Sequence, residues 1–205
     1  MRIQLSGFAL LACTALVACG GSSSGGGSNG TGGGARLSAS EAATVMTQYD
    51  EAIAAVENGD ATVATDASGA VSMSGYMGFS IEEEEDEIDA LGKLSMDVDF
   101  DNGTVSGTAD NFALFDTSDE VNPVKVSNVS GALTVDGTVT SAAIDASATG
   151  HLSDGDGGAD FDLTMTGNVY EQDDALMALG DVEGTFTTDE GVTETTGGGF
   201  VAYED

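Results

Sequence analysis

Leu94-Ser95-Met96-Asp97-Val98-Asp99-Phe100-Asp101-Asn102-Gly103-Thr104-Val105-Ser106-Gly107-Thr108-Ala109 alternates apolar and polar residues before Asn102-Gly103 and resumes a period of two after it. Leu94, Met96, Val98 and Phe100 fall on one face, and Ser95, Asp97 and Asp99 on the other. A period of two marks a half-buried strand, and Asn-Gly between two such runs marks a tight hairpin. A two-residue loop there sets Phe100 against Val105, Val98 against Gly107 and Met96 against Ala109. Each pair keeps one apolar face together, which is what specifies a strand register.

The same period runs outward from this hairpin. Val71–Ile81 places apolar residues or glycine at the odd positions, and Ala159, Phe161, Leu163 and Met165 alternate with Asp160, Asp162 and Thr164. Weaker strands are expected over 110–115, 125–135, 138–146, 182–188 and 198–203. With short turns and the single proline Pro123, the pattern predicts a mainly β chain: an eight-stranded antiparallel up-and-down barrel, apolar within and acidic without. A two-sheet sandwich has the same periodicity. Phe79, Phe100, Phe161 and Phe186 are expected to fill the interior, because small barrels are packed.

Upstream the period changes. Ser38-Ala39-Ser40-Glu41 fits a capping box, Gly59 a helix stop, and Val45, Tyr49, Ile53 and Val56 one apolar face, so a helix is expected over 37–59, packed across a sheet or a barrel end. Residues 20–34, GGSSSGGGSNGTGGG, read as a flexible linker. Before it, Arg2 and the apolar run from Phe8 to Val17 describe a secretory signal, too short to span a bilayer, for which about 20 apolar residues are needed. Leu16-Val17-Ala18-Cys19 closely resembles the lipobox of bacterial lipoproteins. That resemblance implies cleavage between Ala18 and Cys19 and a lipid on Cys19. The expected organisation is therefore a signal peptide over 1–18, lipidated Cys19 and linker over 19–36, a helix over 37–59 and a barrel over 70–205.

Charge and chemistry narrow the function. Of 205 residues 36 are acidic and four basic, a net charge of −32, and every acidic residue follows Cys19. Such a surface repels nucleic acid and anionic headgroups and suits a cationic partner, weak divalent cation binding, or a high-salt habitat. Of the two cysteines, Cys13 leaves with the signal and Cys19 takes the lipid, so no disulfide is expected. His151 is the only histidine, and neither a nucleophile elbow nor a Cys/His zinc set is present, so no enzyme activity and no cofactor are expected. Asp154-Gly155-Asp156-Gly157-Gly158-Ala159-Asp160 has the oxygen ligands of a calcium loop, but Met165 stands where an EF-hand carries its bidentate glutamate. It reads as a hairpin turn, and Glu82–Glu87 as a solvated loop between strands.

Lipobox, Gly/Ser linker and meander together resemble the transferrin-binding-protein-B-like surface lipoproteins of Gram-negative bacteria. Leu94–Phe100 followed by Asn102-Gly103-Thr104-Val105-Ser106-Gly107 looks like that family's paired strands, and Gly184-Thr185-Phe186 with Gly198-Gly199-Phe200-Val201-Ala202 like its closing pair. The resemblance covers residues 70–205. It implies an eight-stranded barrel on the outer membrane, anchored by lipid and displayed at the cell surface, that binds a protein or an iron-related ligand through its loops. A single helix replaces the family's handle sheet, and no ligand-contacting residue transfers. A structural acidic lipoprotein without a ligand and a lipocalin-like carrier of a small apolar molecule are the alternative functions.

Overall fold

The computed structural model describes residues 36–205 apart from 84, 85, 120, 155, 156, 190 and 196. Leu16, Val17, Ala18, Cys19 and the Gly/Ser linker lie outside the described residues. The elements run α1 (Ala39–Asn58), β1 (Thr62–Val63), β2 (Ala70–Glu83), β3 (Asp86–Asp99), β4 (Thr104–Asp116), β5 (Val124–Asn128), β6 (Ser130–Thr140), β7 (Ala143–Ser153), β8 (Gly158–Gln172), β9 (Ala175–Thr188), β10 (Gly191–Glu194) and β11 (Gly198–Glu204).

Eight of these strands, β2, β3, β4, β6, β7, β8, β9 and β11, pair antiparallel in that order, and β11 pairs back onto β2. The result is the closed barrel that the alternation predicts, preceded by one helix. Two staves share their partner with a short upper piece. β4 pairs with β6 over Thr104–Asp110 and with β5 over Ala113–Asp116; β9 pairs with β11 over Met177–Asp181 and with β10 over Thr185–Thr188. β1 adds two residues to β8.

The helix ends where its capping residues place them. The Ser38 backbone N–H donates to Glu41 Oε2 at 2.8 Å, and the Glu41 N–H donates to Ser38 Oγ at 3.3 Å. Gly59 stops the helix at φ 79°, a left-handed conformation that costs glycine nothing.

The quoted hairpin forms with a different register. Asp99 faces Thr104 and Val98 faces Val105, so Phe100–Gly103 is a four-residue loop, and Val98 does not meet Gly107. The Asp99 carboxylate closes this loop by accepting the Asn102 backbone N–H at 2.9 Å and its Nδ2 at 2.7 Å. The slip is by two residues, which returns every side chain to its own face. The core is thus the expected one with different partners. Elsewhere, the strand expected over 138–146 is a hairpin: Ser141 and Ala142 form its two-residue loop with φ of 48° and 72°, without the glycine or asparagine that such turns favour. The strand expected over 125–135 breaks at Val129, whose N–H donates to the Phe112 carbonyl. In the acidic run, Glu82 pairs with Glu87 and Glu83 with Asp86, so strand backbone extends into the expected loop.

Inside, four rings form a column. Phe112 and Phe79 lie 5.9 Å apart between centroids, Phe79 and Phe161 5.1 Å, and Phe161 and Phe186 5.5 Å. Phe100 sits in the loop and is only partly buried; Phe112 and Phe200 are fully buried in the barrel core instead. A bulge is what turns Phe112 inward. Gly92 on β3 stands opposite two residues of β4, Asn111 and Phe112, and Asn111 adopts φ 55°. The extra residue reverses the alternation, so that Val105 and Ala109 point inward before it and Phe112 after it. Beyond the bulge Ala113 and Phe115 join an outer cluster with Leu37, Ala42 and Leu91.

Candidate functional site: a cleft between the helix and the barrel wall

A barrel with an acidic exterior offers no reason for a helix to adhere, yet α1 lies against its wall. The explanation is a belt of outward apolar residues. Met177 and Leu179 of β9 and Val201 of β11 pack with Ala52 and Ala55 of the helix; Leu91, Ala113 and Phe115 pack with Leu37 and Ala42. Alanines at these helix positions allow the backbone to approach the sheet closely. Of the expected face, Val45 is buried and Tyr49, Ile53 and Val56 are half-buried. The start of the helix is held by Lys125, whose Nζ donates to the Leu37 carbonyl at 2.6 Å and lies 6.0 Å from the Phe115 ring centroid. Arg36 donates to Ser130 Oγ at 3.0 Å.

Between the two contact clusters the helix bridges a cleft of about 510 Å³. Its helix side is Ala43, Val45, Met46 and Tyr49, and its wall side includes Tyr76, Leu91 and Val201. Glycines 78, 198 and 199 line its floor. A Cβ at Gly199 would run into the Tyr49 phenol, so the bare backbone at this point is what lets the ring lie against the wall. The Tyr49 hydroxyl donates a long hydrogen bond, 3.5 Å, to the Gly180 carbonyl. Burial first, then the carboxylates of Asp181 and Asp50, raise its pKa above the ordinary tyrosine value.

Carboxylates stand among the lining residues. Asp50 is exposed on the helix. Asp89 accepts from Ser80 Oγ at 2.6 Å and from Thr117 Oγ1 at 2.8 Å, and Thr117 itself is buried. Two hydroxyl donors fix this carboxylate in place with acceptor capacity to spare. The cleft therefore combines apolar and aromatic walls, an open peptide floor and anionic groups. Its volume lies within the range of about 300–1,000 Å³ usual for ligand pockets.

The residues that the sequence offered for chemistry do not converge here. His151 Nδ1 lies 2.9 Å from Asp160 Oδ1 on the exposed faces of β7 and β8, and neither residue lines the cleft. In the expected β7–β8 turn the Gly157 N–H donates to Asp154 Oδ1. Among the described residues no group of three or more His, Cys, Asp or Glu side chains is placed to hold a metal ion, and no helix there is long and apolar enough to cross a membrane. The one signal for the cleft in the sequence is glycine on outward strand positions, at 78 and 199, beside an amphipathic helix. No protein-family model, curated protein or solved structure matches the chain.

Proposed function

We propose that this protein is a non-enzymatic lipoprotein, anchored to the outer membrane through Cys19, whose barrel carries recognition of a protein or iron-related ligand on its outer wall. The observation that carries this reading is the placement of space: the interior is filled by the Phe112–Phe79–Phe161–Phe186 column, while the cleft lies outside under α1. A filled interior speaks against the carrier alternative, and an apolar cleft among carboxylates speaks against a purely structural role. The occupant that fits is an apolar group bearing a positive charge, either a side chain of a protein partner or an amphipathic cation.

Two measurements test this. Protease treatment of intact cells removes the barrel if it is displayed outside; protection until the outer membrane is permeabilised overturns surface display. For the cleft, a fluorescent alkylammonium probe is titrated against an alkylsulfonate of equal chain length. Saturable binding of the first alone, lost in Ala43→Trp, supports the site. Equal binding of both probes, or binding unchanged by Ala43→Trp, overturns it.

A further inference from the structure

Among the described residues, β5 is a stretch of barrel wall with an unused edge. Its residues pair with β4 on one side, Ala113↔Asn128 through Asp116↔Val124, and among the described residues no strand pairs with the other side. The neighbouring stave explains why. β7 accompanies β6 up to Ser130↔Ser153 and ends there, so β5 runs on past it for five residues. An open edge is a template for another strand, and proteins usually guard it with charge or proline.

Here one guard is present, a bulge at Val126 between the pairs Phe115↔Lys125 and Leu114↔Ser127, and the others are displaced. Pro123 stands just before the strand, and the ammonium of Lys125 is turned to the Leu37 carbonyl and the Phe115 ring. What the edge presents instead is Val124 and Val126, 62% and 56% exposed, with Val121 at 79% just ahead of them. These make three of the six exposed large hydrophobics among the described residues, gathered within six positions of the chain. Two other strands are paired on one side only among the described residues: β1, of two residues, and β10, which follows Asp189 and ends in Glu194, so carboxylates bracket it.

We infer that the open edge of β5 is a docking site for an extended, cationic segment of a partner protein, which adds to the sheet as a further strand. Main-chain hydrogen bonds along β5 supply affinity, and Val124 and Val126 offer apolar contact to the incoming strand. The charge of the occupant follows from this chain's net −32. A second copy would bring the same charge to the edge and be repelled, whereas a Lys- or Arg-bearing strand is steered toward it. The site is separate from the occupant proposed for the cleft, with which it shares only the neighbourhood of Val121.

The test uses the full chain and a short peptide of alternating valine and lysine, against a proline–lysine peptide of equal charge, at physiological salt. Calorimetry is expected to show the valine–lysine peptide binding about tenfold more tightly, because proline cannot supply the strand's hydrogen bonds. Hydrogen exchange over 124–128 is expected to slow on binding, and Val124→Ser/Val126→Ser, at exposed positions, to weaken it with the fold unchanged. Equal affinity for the two peptides reduces the effect to bulk charge and overturns the proposal. So does protection confined to other segments, or concentration-dependent protection of β5 without peptide, which would make a second copy the occupant. Binding that survives Ala43→Trp separates this edge from the cleft.

Discussion

The ring of Phe112 lies against the backbone of Gly92 on the facing strand, in the space where any other residue would place its Cβ. This pair is the inner side of the β3–β4 bulge, and it is why Phe112 reaches the aromatic column while Ala113 and Phe115 turn outward. Gly92→Ala is therefore expected to destabilise the barrel by about 1–3 kcal/mol through overpacking. Urea unfolding measures the loss, and Phe112→Leu in the same chain is expected to restore part of it. A Gly92→Ala chain of parental stability would show that the ring can move aside freely.

Phe79 touches both Phe112 and Phe161 and holds the column together. Phe79→Ala is expected to cost about 3–5 kcal/mol, the range for deleting a buried aromatic ring. The expected signature is a lower denaturation midpoint at an unchanged m-value. A small loss would mean that the barrel interior collapses onto the gap.

Helix attachment is expected to fail before the barrel does. Ser38→Ala removes the cap and is expected to cost about 0.5–2 kcal/mol, read as faster hydrogen exchange over 39–58 with the staves unaffected. The hydrogen bonds from the Ser38 backbone and then its side chain, with weaker help from Lys93 and Lys125, hold the Glu41 carboxyl below its ordinary pKa. Asn102 does the same for Asp99, side chain first. A depressed carboxylate contributes stability that is present above the unfolded value of about 4 and is lost as pH falls through the folded value. The stability gap between parent and Glu41→Gln/Asp99→Asn is expected to close between neutral pH and the acid limit. A gap independent of pH would refute the assignment.

The opposite limb belongs to tyrosine. Tyr49, raised by burial and then by Asp181 and Asp50, and Tyr203, raised by burial and then by Glu51, ionise above the ordinary value. The folded state holds these protons more tightly than the unfolded chain, so their contribution is complete below about pH 10 and is lost as pH rises through the folded value. Phenolate absorbance is expected to show late-titrating amplitude that shrinks in Tyr49→Phe and disappears in Tyr49→Phe/Tyr203→Phe. The single variant is also expected to resist alkaline unfolding better than its parent.

Self-repulsion of a chain with net charge −32 weakens as salt shortens the Debye length from about 30 Å at 0.01 M to about 3 Å at 1 M. The melting temperature is expected to rise by about 5 °C over that range, equivalent to roughly 1–2 kcal/mol for a chain of this size. A flat profile would mean that the acidic groups are too far apart to interact.

Faces were legible in the sequence and partners were not. Alternation at Leu94, Met96 and Val98 states which side chains point inward, and it states this equally well for registers two residues apart. The loop that forms is the one in which Asp99 grips Asn102, a local hydrogen-bond detail invisible to periodicity. The bulge was hidden for a related reason: Asn111 is an ordinary polar residue until its φ of 55° is seen. Ser141 and Ala142 turn a hairpin without glycine or asparagine, held by the strands on either side. The helix was legible from end to end because its signals are local. The cleft was not, since it arises from Gly199 meeting Tyr49 across a long sequence separation, with Gly78 beside it on the floor.

β11 is the stave that joins β9 to β2, and its partners on β2 lie more than a hundred residues earlier in the chain. The ring therefore stays open throughout synthesis until residues 198–204 have been made. Up to that moment β2 and β9 both expose unpaired edges, and the aromatic column lacks its enclosing wall. Contacts of such long separation are also slow to form, because loop closure must come first. A polypeptide with this wiring remains threadable for as long as it is incomplete, and commits to its shape in one late step.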